Sequence, residues 1–366
     1  MNIYLCFGYE PNTAGLYFER ALAREHHVVT LGAPVGIRTG YVQDLDLSLL
    51  PQDSLPAPDL VIFMEPFQGF FPAGLHRLVC PTAIYLVDVH RHLPLRLAYA
   101  RFFDYVFVAQ KDYVPRLREQ GIEQVFWLPL ACDPDIHRPL QLPKQYDVGF
   151  VGHLNSHART RRLEATTQCF SVNDYRQRYA REQIAEVYSM SRMALNSSIG
   201  GDLNMRVFEA MACGTLLVTD RIGNGQSDLF EDRVHLVEYA NDQEMLDAIE
   251  YYLAHDDERT KISHCGAELV RSHHTYQQRS DTMLQTIFAD GAPRFAAPIR
   301  QLSDADAQLV YLKFYARLGQ LDVLVSQLQA RTRRPSLRMW SVLAEALARS
   351  TYRLIRLGGA SLHDVA

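Results

Sequence analysis

The 366-residue chain offers little from which to build a disulfide framework, a metal cluster or a membrane anchor. Its six cysteines, at positions 6, 80, 132, 169, 213 and 265, include no CxxC pair and are too scattered for dense cross-linking, so they read as buried thiols. No apolar run approaches the ~20 residues of a membrane helix. The opening MNIYLCFGYEPN lacks the basic flank and long apolar core of a secretion signal. Positive charge is not in excess either, and a net charge of −5 argues against a general nucleic-acid binder. The expectation from these absences is a cytoplasmic protein. Hydrophobic residues at 48% and charged residues at 22% are ordinary for a globular chain, and the length suits two domains with an appendage.

In the first half, apolar runs at 3–7, 28–31, 60–64, 83–87, 105–108 and 125–128 alternate with helical or loop stretches, such as the amphipathic segment carrying Leu16, Phe18, Leu22 and Ala23. Short buried strands alternating with helices predict a parallel sheet covered on both faces, with ligands at the carboxyl ends of its strands. Three loops qualify by that rule: Gly8-Tyr9-Glu10, Glu65-Pro66 and Asp88-Val89-His90-Arg91-His92. Asp88 and His90 follow a strand by one and three residues, where either can act as a base toward an acceptor hydroxyl. Alternatively, His90 orients a sugar, or Asp88 is an N-cap beside surface histidines. Asp44-Leu45-Asp46 fits the DxD pattern of cation-dependent diphosphate sites, but it lies in QDLDLSLLPQD before any suitable strand and reads as a solvated acidic turn. No metal is expected.

Prolines at 129, 134, 139 and 143 mark a stiff connector. A second unit of the same kind follows, with strands expected at 146–151, 169–172, 193–196, 216–219 and 234–237 and helices at 158–167, 182–191, 205–213 and 242–254. Its first turn is Gly152-His153-Leu154-Asn155, followed by Arg159, Arg161 and Arg162 early in a helix. Cations are disfavoured there by the helix dipole, and an anion in the turn would resolve the conflict. His273 and His274 are adjacent, so on a helix they point apart; they read as a helix boundary rather than a metal pair.

The second unit is organised around Ser198-Ile199-Gly200-Gly201-Asp202-Leu203-Asn204-Met205-Arg206-Val207-Phe208-Glu209-Ala210-Met211-Ala212-Cys213-Gly214. A glycine pair, a helix capped by Asp202 or Asn204 and a terminating glycine predict a loop–helix–strand passage. Met205, Val207, Phe208, Met211 and Ala212 share one arc of the helix, and Arg206 and Glu209 the other. Arg206 suits a diphosphate and Glu209 suits sugar hydroxyls, while an Arg-Glu pair on a solvated face explains the same spacing.

The run DLNMRVFEAMACG resembles the C-terminal signature of GT-B glycosyltransferases, most closely their spore-maturation (CgeB-like) branch. The resemblance implies an α/β fold of two Rossmann-like doubly wound domains facing a cleft: residues 1–140 for the acceptor, completed by a crossing helix at 276–289, and 146–275 for the nucleotide-sugar donor. It further implies that Glu209 contacts the donor ribose. A preceding family acid has no match at its usual spacing, since Gly201 stands there and Asp202 comes one position later. The GHLNS turn resembles the donor-phosphate loop, which puts Gly152, His153, Asn155 and Arg159 beside Asp202, Asn204, Arg206 and Glu209 in the donor site. An Asp-x-His at the equivalent strand end of similar enzymes supports His90.

Residues 290–366 form a helical C-terminal extension, with helices expected at 304–318, 321–330 and 336–357. From residue 300 onward it carries nine Arg and one Lys against five acids. Leu337, Trp340, Leu343 and Leu347 oppose arginines at 338, 349, 353 and 356, which suits packing onto the body, a homo-oligomer contact, or peripheral attachment to the inner face of a membrane. The function expected is metal-independent transfer of a sugar from a nucleotide-activated donor, without further cofactor, to a glycan, protein or small-molecule acceptor. A nucleotide-sugar epimerase of the same fold and a non-catalytic nucleotide-sugar-binding protein are the alternatives. Removing residues 300–366 is expected to leave nucleotide binding intact.

Overall fold

The computed structural model describes residues 1–8, 13–32, 47, 55–65, 71–289, 291, 293–318, 341 and 344. Tyr9, Glu10, Pro66, the 44–46 acidic turn, the 321–330 helix and nearly all of the 336–357 helix lie outside them. The first unit runs β1 (Asn2–Cys6), α1 (Ala14–Leu22), β2 (His27–Leu31), β3 (Leu60–Met64), β4 (Thr82–Leu86), α2 (Leu93–Ala100), β5 (Tyr105–Val108), α3 (Tyr113–Glu119) and β6 (Val125–Trp127). These strands make one parallel six-stranded sheet in the order β2-β1-β3-β4-β5-β6. The central strands LVIFM, TAIYL and YVFV are buried at every position, as a sheet covered on both faces requires.

The second unit runs β7 (Tyr146–Gly149), α4 (His157–Cys169), α5 (Arg181–Met190), β8 (Ser191–Asn196), α6 (Met205–Ala212), β9 (Leu216–Asp220), α7 (Gln226–Leu229), β10 (Val237–Tyr239) and α8 (Asp242–Ala254). Its four strands are also parallel, in the order β10-β9-β8-β7. The strand expected at 169–172 is absent. α4 continues through Cys169, and only Val172 bridges to Val148. Side chains replace the missing ladder: Asn173 Nδ2 donates to Phe150 O while its Oδ1 accepts from Phe150 N, and Asp147 and Ser171 exchange bonds likewise. The last strand starts at Val237 rather than residue 234, because Arg233 turns the chain at φ 61° and its N–H closes onto Leu236 O. All six thiols are free, but Cys169 is exposed and Cys265 half-buried, so the expectation of buried cysteines holds for the other four.

After α9 (Asp256–His273), α10 (Tyr276–Phe288) returns to the first unit. Tyr276 stacks on Tyr17 of α1 with centroids 5.0 Å apart, and Tyr105 donates to Ile287 O. The start of α10 lies against the connector through reciprocal backbone bonds of Cys132 with His274 and Tyr276. Arg279 fastens that contact by donating to Pro129 O, Leu130 O and His274 Nδ1.

Among the described residues of the extension, those before residue 319 belong to the first core. Tyr311, Phe314 and Tyr315 of α11 (Asp304–Leu318) pack with Phe63, Phe71, Tyr99 and Phe102. Ahead of α11, Arg300 binds the fully buried carboxylate of Asp104, which also accepts from Thr82 and from Ala297 N. Deleting residues 300–366 would therefore uncover an aromatic core and orphan a buried charge. The expectation that the tail is dispensable does not extend to the folding of the first unit. Arg300→Ala should destabilise the protein by about 3–5 kcal/mol in denaturant unfolding, the cost of leaving a buried carboxylate without its cation. Arg317→Ala, at the surface end of α11, should change the midpoint little.

Candidate active site

The carboxyl ends of β7 and β8 meet a pair of buried guanidiniums. Arg159 on α4 is 4% exposed and Arg206 on α6 is 7% exposed, and among the described residues neither has a carboxylate within ion-pair distance. Arg159 donates to Ser197 O at 2.6 and 2.9 Å and to His153 O at 2.8 Å, bracing the turn after β7. Burial, and then the neighbouring Arg206 charge, pull its pKa down to about 10, so it remains a cation at neutral pH. Arg206 donates to Val151 O at 2.8 Å and to Asn196 Oδ1 at 2.6 Å, and its guanidinium carbon lies 4.3 Å from the centre of the Phe150 ring. Its Nη2 occupies the space beside Gly152, where a Cβ would come within 2.0 Å of it. The sequence does not show why residue 152 is glycine; the structure does.

Arg161 and Arg162 do not join this pair. Both bind Asp242 at the start of α8, and Arg162 also reaches Ser197 Oγ and lies 3.8 Å from Asp220. The unfavourable position of these two cations on α4 is thus relieved by a carboxylate of the protein. His153 and Asn155 are exposed in that turn, and the contribution of His153 to the arginine cluster is its carbonyl.

Glu209 lies in the same helix as Arg206 but makes no ion pair with it; the Arg-Glu surface pair anticipated as the alternative does not form. It is 7% exposed, and burial raises its pKa to about 7, against the pull of Arg206. Its Oε1 is 3.6 Å from Nε2 of His137, a fully buried connector residue. His137 Nδ1 accepts from Asp133 N, so Nε2 carries the hydrogen, and it lies 3.4 Å from Tyr17 Oη. Burial lowers His137 to about 3, so it faces Glu209 as a neutral donor rather than a charged partner. Neither Tyr17 nor His137 was legible as a site residue. The connector looks like a proline-rich spacer, and Tyr17 falls on the buried face of an ordinary amphipathic helix.

Across from α6, the loop after β4 brings His90 to within 3.4 Å of the position of a Cβ on Gly200. Among the described residues neither nitrogen of His90 has a hydrogen-bond partner, and burial lowers its pKa against the raising influence of Asp202 and Asp88. Asp88 turns instead toward solvent and Arg91, 3.6 Å away. The loop is held from beneath by Glu65, which accepts from Asp88 N and pairs with Arg96; burial lifts Glu65 to about 6. Asp202 accepts from Ile199 N within the glycine loop. Asn204 occupies the N-cap of α6 without capping it, and among the described residues both its amide atoms are unpartnered. The structure therefore gathers Gly152, Arg159 and Arg206 in one cluster and brings His90 to the Gly200 loop near Asp202. Glu209 stands on the inner side of α6, and Asp88 at the rim. Among the described residues no group of His, Cys, Asp and Glu is placed to hold a metal ion, and no helix is long and apolar enough to cross a membrane.

Residues 137–285 match the family described as "Glycosyl transferase-like". No curated protein sequence matches the chain. Several solved structures match over their whole length or nearly so. Anabaena Alr3699/HepE in complex with UDP and glucose aligns at TM-score 0.59 and 14% identity, covering 79% of this chain and all of that one. Sucrose-phosphate synthase from Thermosynechococcus elongatus gives 0.54 at 13% identity with the same coverage. The T4 phage BGT in complex with its UDP-glucose substrate gives 0.53 at 13% identity, covering 78% of this chain and 99% of that one. The two-sheet architecture is the GT-B glycosyltransferase fold.

The fit of Arg206 against Gly152 generates a test. Gly152→Ala forces the guanidinium away from Val151 O and Asn196 Oδ1 and puts a side chain on a backbone at φ 156°, and should destabilise the protein in denaturant unfolding by at least about 1.5–3 kcal/mol, the worth of a hydrogen bond to a charged group. Because part of the effect acts through Arg206, Gly152→Ala should cost less in an Arg206→Ala background than in the unaltered protein.

Proposed function

We propose that this chain transfers a glycosyl group from a nucleoside-diphosphate sugar to an acceptor hydroxyl. The observation that carries the reading is the pair of buried guanidiniums of Arg159 and Arg206 at a strand end, with no carboxylate in ion-pair distance among the described residues. Burying a cation without a counter-charge is costly, and a ligand that brings two negative charges removes the cost. UDP and UDP-sugar in the named structural neighbours support a diphosphate as that ligand. The DLNMRVFEAMACG run supports the spore-maturation branch in particular.

In this reading, Arg206 and the turn at Gly152 hold the diphosphate, with Arg159 keeping the turn in shape. The bond from the anomeric carbon to the diphosphate oxygen breaks as the acceptor oxygen bonds to that carbon. The departing charge grows beside Arg206, which supplies what a divalent cation supplies elsewhere. Neutral His90, both of whose nitrogens lack a partner among the described residues, takes the acceptor proton or orients the sugar. Glu209 accepts from the ribose hydroxyls. The acceptor is a glycan, protein or small molecule bound by the first unit.

Release of UDP from UDP-glucose or another UDP-sugar that requires an added acceptor, and persists in EDTA, tests the reading. Release without acceptor dependence, or interconversion of the sugar, would replace transfer by hydrolysis or epimerisation. His90→Ala should lower turnover by about 10² to 10⁴ with little change in UDP affinity.

Glu209 and Arg206 should separate cleanly in calorimetry. Glu209→Ala loses about 1.5–3 kcal/mol for uridine and UDP alike, whereas Arg206→Ala loses affinity for UDP only, and less so as salt is added. The raised pKa of Glu209 adds a sign. Ribose hydroxyls need its ionised form, so nucleoside affinity should climb as pH rises from about 5 through about 7 and then level off, with protons released on binding. In the free protein, the same group contributes stability fully present below its ordinary value and lost as pH rises through about 7. Glu209→Gln should flatten the affinity profile.

A further inference from the structure

The turn after β9 meets the first unit at three successive residues. A Cβ on Gly223 would come within 2.6 Å of Asp112 Oδ2, and one on Gly225 within 2.3 Å of the Trp127 ring. Between them, Asn224 exchanges two bonds with Asp112: Asn224 N donates to Asp112 Oδ2 at 3.0 Å, and Asp112 N donates to Asn224 Oδ1 at 3.2 Å. Asn224 holds a left-handed backbone at φ 55° and is 5% exposed, so its side chain is fixed by the fold rather than by chance. The remaining bond of its amide is directed elsewhere. Asn224 Nδ2 donates to Gly201 O at 2.7 Å, inside the glycine loop that faces His90.

That loop has little bias of its own. Gly200 and Gly201 both adopt positive φ, 64° and 76°, and a Cβ on Gly201 would meet nothing within 4 Å. Its shape is imposed from outside: Asp220 takes Ser198, Gln110 of the first unit accepts from Leu203 N at 2.9 Å, and Asn224 takes Gly201. We infer that Asn224 is a positioning residue, which ties the first unit through Asp112 to the glycine loop through Gly201 and so sets that loop against His90. The inference deepens the transfer reading, on which its catalytic consequence rests. With the units joined at Asp112, the peptide at Gly201 has one orientation; with the join broken, the glycine pair is free to take others.

The test compares the full-length protein with Asn224→Gly, Asp112→Asn and Asp228→Ala. Asn224→Gly keeps the left-handed backbone accessible and removes only the side chain. Asp228→Ala removes the exposed Lys111–Asp228 pair, another contact between the units, and is the control for a general loosening. Hydrogen exchange of amides 198–204 should quicken by about fivefold to tenfold in Asn224→Gly, as expected for one lost hydrogen bond. It should quicken by less in Asp112→Asn, and stay within about twofold in Asp228→Ala. With UDP-glucose as donor, Asn224→Gly should lower kcat by about tenfold while donor KM stays within about twofold, because the loop is misplaced and the arginine cluster is not. Unchanged exchange at 198–204 overturns the inference. So does an increase spread evenly over the second unit, an equal increase in Asp228→Ala, or a rise in KM alone. If the unaltered protein does not turn over UDP-glucose, that donor assignment fails, and the exchange comparison still decides the role of Asn224.

Discussion

A guanidinium placed where no carboxylate can answer it is the constraint on which the second unit depends. Arg206 reaches its position because α6 turns its apolar arc into the core, because Gly152 leaves room, and because Val151 O and Asn196 Oδ1 take its N–H groups. Asn196 is itself braced, donating to Thr219 while its carbonyl receives Tyr239. The turn after β7 and strands β8, β9 and β10 thus each contribute to the setting of one cation. Such an arrangement is poor for stability in isolation, which is the ground for proposing an anion as its ligand.

Much of the fold was legible because it is written in local pattern. Continuous apolar runs marked the parallel strands, and the alternation of runs with amphipathic segments marked two units. The helix 304–318 coincided with α11, and 242–254 with α8. Legibility stopped where side chains substitute for backbone. Asn173 completes a sheet edge with its amide, so the expected strand before it was not needed. Within the site, Arg206 and Glu209 stood out by type and helical position, but their separate surroundings did not. His137 was concealed in a connector whose prolines drew the eye, and Tyr17 in a helix that looked like packing alone. The partner of Arg161 and Arg162, Asp242, lies 81 and 80 residues further on, beyond the reach of any local rule.

The extension shows a similar limit. Its basic composition suggested a surface role, yet the first helix contributes tyrosines and a phenylalanine to an aromatic cluster, and Arg300 is committed to Asp104 inside the first unit. Net charge describes how a segment meets solvent and partners. It does not say which of its residues the segment keeps for its own core.

The chain passes between its two units twice, once through the connector and once at the start of α10, and these passages lie side by side. Cys132 bridges to Thr275 across them, and the guanidinium of Arg279 gathers Pro129, Leu130 and His274 into one knot. Two covalent links fastened together have the mechanics of one hinge. They oppose sliding or separation of the units, and the contacts of Gln110, Asp112 and Lys111 with Leu203, Asn224 and Asp228 restrain turning about their common line. The angle between the units is therefore set by a few side chains of the first unit that lie outside the crossing itself.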